Sequence, residues 1–168
     1  DLDLFEAVGD LLVHRLVGVE GVARLVDVGQ LDRLADAQVA GGDHTWKLHL
    51  PESAIAITGD QARLHQVLAN LLANARIHTP AGTTVDVTLE RDERDVRIKV
   101  RDNGPGIPVA QRKTLFERFT RGDSSRTRAT GSTGLGLAIV QAVVQSHGGK
   151  VSVASKKGRT EFVVSLPA

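Results

Sequence analysis

The chain has 168 residues with 41% hydrophobic side chains, which fits one globular domain of ordinary size built around a single core. Lysine and arginine number 21 against 20 aspartates and glutamates, and this near balance excludes a global field that would attract nucleic acid or a membrane surface. No cysteine is present, which excludes disulfides and thiolate metal sites, and no apolar run approaches the roughly 20 residues that span a bilayer.

The N-terminal part of the chain has weaker patterns than the rest. Residues 4–16 ("LFEAVGDLLVHRL") predict a helix, whereas glycines interrupt the helical spacing of residues 17–42 and leave that segment unassigned. We expect residues 1–43 to form an N-terminal helical segment of the same domain as residues 44–168. Because the chain starts at Asp1 without methionine, we expect it to be a piece of something larger.

Two short strands and one long helix come next. Alternating apolar and polar residues predict strands at 45–50 ("TWKLHL") and 54–58 ("AIAIT"). Apolar residues at helical spacing then predict an amphipathic helix over residues 60–79. Asn70 and Asn74 lie four residues apart in this helix, so they share one face. Asparagine is a poor helix former and is costly to bury without partners, so this pair needs a physical explanation.

The C-terminal half alternates strands, glycine turns and helices. Residues 84–90 and 95–101 predict two strands joined by a tight turn, and the glycine-rich loop "DNGPGIP" follows at 102–108. A short helix is predicted at 109–119 and a mobile polar loop at 120–132. A glycine turn then leads into an apolar helix ("TGLGLAIVQAVVQSHGG"), and two strands close the chain ("KVSVAS" and "EFVVSLP"). Antiparallel strands with helices grouped over one face predict an α+β fold, a two-layer α/β sandwich.

Four motifs occur in a fixed order: the asparagine pair, "DNGPG", "GSTGLGLAIV" and "KGRT". Each alone is a weak signal, because a glycine-rich turn is more often a plain loop than a nucleotide site. The order "NLLANA … DNGPGI … LFERFTRGD … GSTGLGLAIV … GRT" resembles the catalytic ATP-binding domain of bacterial sensor histidine kinases, over residues 60–167. That domain belongs to the superfamily of DNA gyrase B, the Hsp90 chaperones and MutL, and the "LFERF" box favours its kinase branch.

The resemblance implies a Bergerat-type fold, in which helices cover one face of a mixed, mostly antiparallel sheet, with a lid at about residues 120–133. It also implies ATP and Mg²⁺ as cofactors. Asn74 matches the asparagine that ligates Mg²⁺ through its side-chain oxygen, a hard ligand of the kind that this ion prefers. Asn70 would contact the water shell of the ion or the phosphates, and Asp102 would accept a hydrogen bond from the adenine amino group.

The same motifs imply further site residues. Gly104 and Gly106 allow the backbone to come close to the base. Arg121 matches an arginine near the γ-phosphate, so Asn70 and Arg121 are the predicted catalytic residues. For Arg121 and for the weaker candidate Arg118, a solvated surface arginine is the alternative. The other implied contacts are Ile107 and Leu137 beside the base, Gly134, Leu135 and Gly136 at the phosphates, Thr160 at the adenine end, and Phe116 and Phe119 as anchors of the lid.

The chain departs from the family pattern in three places. A lysine often follows the magnesium asparagine by three residues, but Ile77 stands there, and Arg76 is the candidate substitute although it points about 100° away around the helix. The common tyrosine near the helix end is His78, which could pack on the base or cap the helix. "GRT" replaces the more usual Gly-Thr adjacency, which leaves the role of Gly158 open.

The chain has no acceptor histidine in the family's usual context, which is His-(Glu/Asp)-x-x-(Thr/Asn)-Pro on a dimerising hairpin. The resemblance therefore implies a domain that donates the γ-phosphoryl of ATP to a histidine on a separate dimerisation hairpin, in the same protein or in another chain. A response regulator would receive the phosphoryl group next. We expect a cytoplasmic location, which includes the cytosolic part of a membrane-bound sensor, and no contact of this segment with nucleic acid or membrane.

Two alternative functions stay open at this point. An ATP-hydrolysing conformational switch, like gyrase B or Hsp90, needs a general base, and those relatives place a glutamate where Asn70 stands. A neutral amide cannot take a proton, which disfavours this reading. A nucleotide-dependent interaction module without kinase activity is disfavoured because the motifs are intact.

Overall fold

The computed structural model describes residues 39–41, 44–53, 55–117 and 134–168. Its strands are β1 (Val39–Gly41), β2 (His44–His49), β3 (Thr84–Arg91), β4 (Asp95–Asp102), β5 (Lys150–Lys156) and β6 (Arg159–Pro167). Its helices are α1 (Gln61–His78), α2 (Val109–Arg112) and α3 (Gly136–Ser146). The predicted helix at 4–16 and the predicted loop at 120–132 lie outside the described residues.

The six strands form one sheet in the order β1-β2-β3-β4-β6-β5. Strands β2 and β3 pair in parallel, and every other neighbouring pair is antiparallel. The parallel pair exists because helix α1 carries the chain back across the sheet between the two strands, as a parallel connection requires. The prediction of a mixed, mostly antiparallel sheet is confirmed.

The hydrophobic core lies between one face of this sheet and the helices α1 and α3. The strands contribute every second residue, as in Val85, Val87 and Leu89 of β3, because successive side chains point to opposite faces. Leu68 and Leu71 of α1 are fully buried against this face. Leucine, valine and isoleucine supply nearly all of the core, and the exceptions are Trp46, Phe162 and Ala75.

The opposite face of the sheet is polar and carries cross-strand ion pairs. Asp86 of β3 pairs with His49 of β2 and with Arg101 of β4. Glu90 pairs with Lys99 and Arg97 in the same manner. Such exposed pairs contribute about 0–1 kcal/mol each to the free energy of unfolding. Their main effect is to favour solvent exposure of this face, which leaves the apolar face to pack against the helices. The predicted two-layer arrangement follows from this division.

Helix α1 begins and ends where the sequence predicts. Asp60 caps it by accepting a hydrogen bond from the Arg63 amide at 3.1 Å, and Thr79 closes it in an extended conformation. The turn between β3 and β4 is also as predicted, because Asp92 Oδ1 accepts the amides of Arg94 and Asp95, both at 2.9 Å.

Two predicted elements differ from the structure, and one strand was not predicted. Residues 55–58 form no strand, and only Ile57 makes an isolated bridge, although Ile55 and Ile57 are buried. The helix predicted at 109–119 ends at Arg112 and continues as turns. Strand β1 lies in a segment that the sequence patterns left unassigned, and it exists because its backbone pairs with β2. Among the described helices, none combines the length and apolar character needed to cross a membrane.

Candidate functional site

All the buried polar residues of the described chain lie near one end of the sheet. They are His44, Thr83, Asp102 and Thr160. Asp102 pairs with Val85 on one side and with Thr160 on the other, while Thr45, next to His44, bonds to the Thr83 carbonyl at 3.0 Å. Each of His44, Asp102 and Thr160 continues the core-facing row of its own strand. The apolar layer therefore ends in a belt of polar groups, which is where a polar ligand could be recognised.

Asp102 is the acidic member of this belt, with 7% of its surface exposed. Desolvation by burial raises the pKa of its carboxyl, while the Gly104 amide, which donates to Oδ1 at 2.9 Å, and the charge of His44 oppose that rise. One carboxylate oxygen is thus engaged by the backbone. The carboxylate can accept further hydrogen bonds, as a ligand amino group would supply.

The glycine-rich loop after Asp102 is fastened to the hairpin between β5 and β6. The Ile107 amide donates to Ser155 Oγ at 2.8 Å, and Ser155 Oγ is 2.7 Å from Thr160 Oγ1. Gly106 has φ +87° and lies so close to the hairpin that an added Cβ would be 2.6 Å from the Lys156 carbonyl oxygen. Only glycine combines this conformation with this approach. The loop that the sequence predicted as a ligand contact is therefore a fixed surface.

The two asparagines of α1 lie half-buried, and Asn70 lies beside α3. A Cβ added to Gly136 would be 3.8 Å from Asn70 Oδ1, which places the first turn of α3 against this side chain. The Asn70 Nδ2 atom is buried and has no hydrogen-bond partner among the described residues. A buried amide without a partner costs free energy, so a bound acceptor at this N–H would stabilise the site.

The first turn of α3 adds backbone donors to this place. Leu135 stands at its N-cap without a side-chain hydrogen bond, and Gly134 before it has φ +71°. The first amides of a helix lack intrahelical partners and favour anions such as phosphate. Together with the orphan amide of Asn70, they fit phosphate oxygens. Asn70 precedes Thr79, which lies next to the polar belt, by nine residues. At about 1.5 Å per residue, the phosphate end of the site therefore lies about 14 Å along α1 from the belt, a distance that suits an extended nucleotide.

The remaining predicted residues divide into four groups. Ile107, Leu137 and Phe116 are partly buried against the core, and Phe116 packs edge-on to Phe162 with ring centroids 6.3 Å apart. Arg76 and His78 lie near the end of α1, and partial desolvation of the imidazole lowers the pKa of His78. Gly158 is a turn residue with φ +80° and no close neighbour. Arg118, Phe119 and Arg121 lie outside the described residues, as does the predicted lid.

Sequence reasoning missed His44, Thr79 and Thr83. His44 Nε2 is 2.7 Å from Thr79 Oγ1, and Thr79 Oγ1 donates to the Ala75 carbonyl at 2.6 Å. Thr83 Oγ1 donates to the Pro80 carbonyl at 2.7 Å. The one available signal was the alternation of residues 44–49, since His44 is in phase with Trp46 and Leu48 and so had to face the core.

A metal at this site would have to be held by amide oxygens and ligand oxygens. Within the ranges that the structure describes, no group of three or more histidine, aspartate or glutamate side chains is placed to bind a metal. Magnesium fits the asparagine pair, because it accepts one or two protein oxygen ligands and completes its shell with phosphates and waters.

Comparison with known proteins agrees with this geometry. Residues 59–168 match the family described as histidine kinase-, DNA gyrase B-, and HSP90-like ATPase. The chain is 56% identical to the probable sensor histidine kinase TcrY of Mycobacterium tuberculosis over 84% of its own length and 30% of that protein. It is 36% identical to the sensor-like histidine kinase SenX3 of the same species over 98% of its length and 42% of that protein. It thus spans less than half of these curated relatives.

A solved structure gives the same result. The mycobacterial sensor histidine kinase MprB aligns with a TM-score of 0.63 and 31% identity, covering 83% of this chain and 91% of that one.

Proposed function

Because the chain belongs to the histidine kinase-, DNA gyrase B-, and HSP90-like ATPase family, we propose that it is the ATP-binding catalytic domain of a sensor histidine kinase. In this proposal it binds ATP with Mg²⁺ and donates the γ-phosphoryl group to a histidine on a dimerisation hairpin. A response regulator receives the group afterwards. The proposed location is the cytoplasm, which includes the cytosolic part of a membrane-bound sensor.

The proposed orientation of ATP follows the two ends of the site. The adenine amino group donates to Asp102, while the fixed loop around Gly106 and Ile107 lies beside the base, and Thr160 supports this end. The phosphates lie at the other end, between Asn70 and the first turn of α3 that opens at Gly136. Such a site works by holding the γ-phosphoryl in line with its acceptor, which contributes the larger part of catalysis in phosphoryl transfer.

The metal has a defined place in this proposal. When bound, Mg²⁺ neutralises charge on the phosphates. Asn74 would hold it through its amide oxygen, and Asn70, one turn earlier, would contact its water shell or a phosphate oxygen. Arg121 is proposed to act on the γ-phosphate, with Arg118 as a weaker candidate. The arrangement needs no carboxylate ligand from the protein.

One observation carries the choice of a kinase over an ATP-hydrolysing switch. The side chain next to α3 is the half-buried Asn70, whose buried Nδ2 has no partner among the described residues and whose amide cannot accept a proton from water. A hydrolase needs a general base at the phosphate end. A domain that keeps ATP intact until a nucleophilic histidine arrives needs only donors and a metal ligand there.

The test uses the chain, ATP labelled in its γ-phosphoryl group, Mg²⁺ and a dimerisation hairpin that bears an acceptor histidine. We expect label on the hairpin and little free phosphate. A hairpin without its histidine is the control and should stay unlabelled. Steady release of phosphate without transfer would establish a hydrolase instead, and the absence of any ATP binding would contradict the proposal as a whole.

A further inference from the structure

His44, the first residue of β2, is buried beside the proposed adenine end and has no role in the function proposed above. Its ring is tilted by 34° against that of Trp46, with centroids 6.2 Å apart. The alternation of β2 places both rings on the core-facing side of the sheet. A buried imidazole is costly unless its ring nitrogens are engaged, so its contacts indicate what it does.

The hydrogen-bond chain from His44 has a fixed direction. Thr79 Oγ1 donates its single proton to the Ala75 carbonyl at 2.6 Å. Thr79 can therefore only accept from His44 Nε2, which lies 2.7 Å away and must carry a proton. The imidazole thus holds the threonine that closes α1 in one rotamer, with its hydroxyl turned toward the helix.

The other side of Thr79 packs on the turn that follows Asp102. A Cβ added to Gly104 would lie 2.8 Å from Thr79 Cγ2 and 2.9 Å from Asp102 Oδ1, so these groups are in close contact. The Gly104 amide in turn donates to Asp102 Oδ1 at 2.9 Å. A shift of Thr79 would therefore move the donor that orients the carboxylate.

His44 also acts on the Asp102 carboxyl electrostatically. Burial raises the pKa of the Asp102 carboxyl, and the charge of His44 opposes this rise together with the Gly104 amide. The contact through Thr79 and the electrostatic effect both favour an ionised, oriented carboxylate at Asp102. An ionised carboxylate only accepts hydrogen bonds, which suits an amino group as its partner.

We propose that His44 is a positioning residue for the adenine-reading carboxylate: it holds Thr79 against the Gly104 turn and thereby fixes the orientation of Asp102. The inference rests on the proposed function, since it takes Asp102 as the group that reads adenine. It assigns a specificity role to a residue of β2 that belongs to none of the four sequence motifs.

The test compares His44→Leu with His44→Gln in the full chain. Leucine removes both the hydrogen-bond donor and the imidazole's electrostatic effect on Asp102, and we expect ATP binding to weaken roughly two- to tenfold while GTP binding changes less. Glutamine can place its amide N–H where Nε2 stands, and we expect ATP affinity within about twofold of the unsubstituted protein. Calorimetry with each nucleotide measures these values, and NMR of the Asp102 carboxyl should show a higher pKa in His44→Leu.

His49→Leu is the matched control, because His49 lies on the same strand and also pairs with an aspartate, Asp86, but on the opposite face. It should leave nucleotide preference unchanged. Thr79→Val keeps the methyl contact with Gly104 and removes the hydroxyl; we expect it to weaken ATP binding as His44→Leu does, and it replaces that variant in the test if leucine prevents folding.

Two results would overturn the inference: a folded His44→Leu protein with unchanged nucleotide preference and an unchanged Asp102 pKa, or a His44→Gln protein as weak as His44→Leu. The proposed function fails on a different result, namely no ATP binding by the unsubstituted chain. In that event the Asp102 pKa in the variants still decides whether His44 acts on this carboxylate.

Discussion

Replacing Asp102 by asparagine should stabilise the free protein at neutral pH while it weakens ATP binding. Burial raises the pKa of this carboxyl in the folded state, so the unfolded chain loses its proton first as the pH rises. The folded state is therefore penalised as the pH rises from the unfolded pKa to the folded pKa. The full penalty, about 1.4 kcal/mol for each unit of the rise, persists at neutral pH. Asparagine keeps an oxygen for the Gly104 amide and carries no charge.

The binding cost has a separate origin. In the proposed complex the adenine amino group donates to an ionised carboxylate, and hydrogen bonds to charged groups contribute about 1.5–3 kcal/mol. We therefore expect Asp102→Asn to bind ATP roughly ten- to a hundredfold more weakly, with a smaller change for GTP. Calorimetry measures the affinities, and urea denaturation at about pH 7.5 and about pH 4 measures the free energy of unfolding.

Asp86→Asn is the control for this experiment. Asp86 lies on the neighbouring strand but on the solvated face, paired with His49 and Arg101. Its replacement should lower the free energy of unfolding by up to about 1 kcal/mol and leave ATP binding unchanged. Two results would refute the penalty from the raised Asp102 pKa. One is an Asp102→Asn protein that is no more stable than the unsubstituted protein at neutral pH, and the other is a gain in free energy of unfolding that does not shrink toward acid pH.

Three further substitutions test the site and the core. Gly106→Ala should cost about 1–3 kcal/mol more stability than Gly158→Ala, because both positions have positive φ but only at Gly106 would a Cβ meet backbone, the Lys156 carbonyl oxygen; equal losses in urea denaturation would contradict the close approach. Asn74→Ala should weaken ATP binding roughly tenfold with Mg²⁺ and much less without it, and calorimetry showing equal losses in both conditions would remove the metal assignment. Leu68→Ala should lower the free energy of unfolding by about 2–5 kcal/mol without changing the preference for ATP over GTP, and a loss below about 1 kcal/mol would show that the site collapses around the missing side chain.

The sequence by itself determined the elements whose patterns are long and regular. Helix α1 and strands β3 and β4 follow from apolar spacing, and the cap by Asp60 and the turn at Asp92 follow from local hydrogen bonding. These features depend on neighbours within four residues, so their signals are local. The family also follows from the sequence, because four motifs occur in order.

Tertiary structure decided the elements whose stability comes from distant partners. Strand β1 is three residues long and exists through its pairing with β2. Ile55 and Ile57 alternate as a strand would, yet they are buried in the core and form no strand, with a single bridge at Ile57. An alternation of apolar and polar residues indicates that one side of a segment is buried, but it does not indicate whether a neighbouring strand is available for backbone pairing.

The site shows the same division. The sequence predicted Asp102, Thr160 and the glycines as site residues, because each lies in one of the four motifs. Only the register of the sheet brings Asp102 between Val85 and Thr160 and sets His44 at the same end, two strands away. Residues 44, 79 and 102 are far apart in the chain, so no local pattern could place His44 and Thr79 behind the carboxylate. The belt of polar groups at the end of an apolar layer is a product of strand pairing, which acts between segments rather than within them.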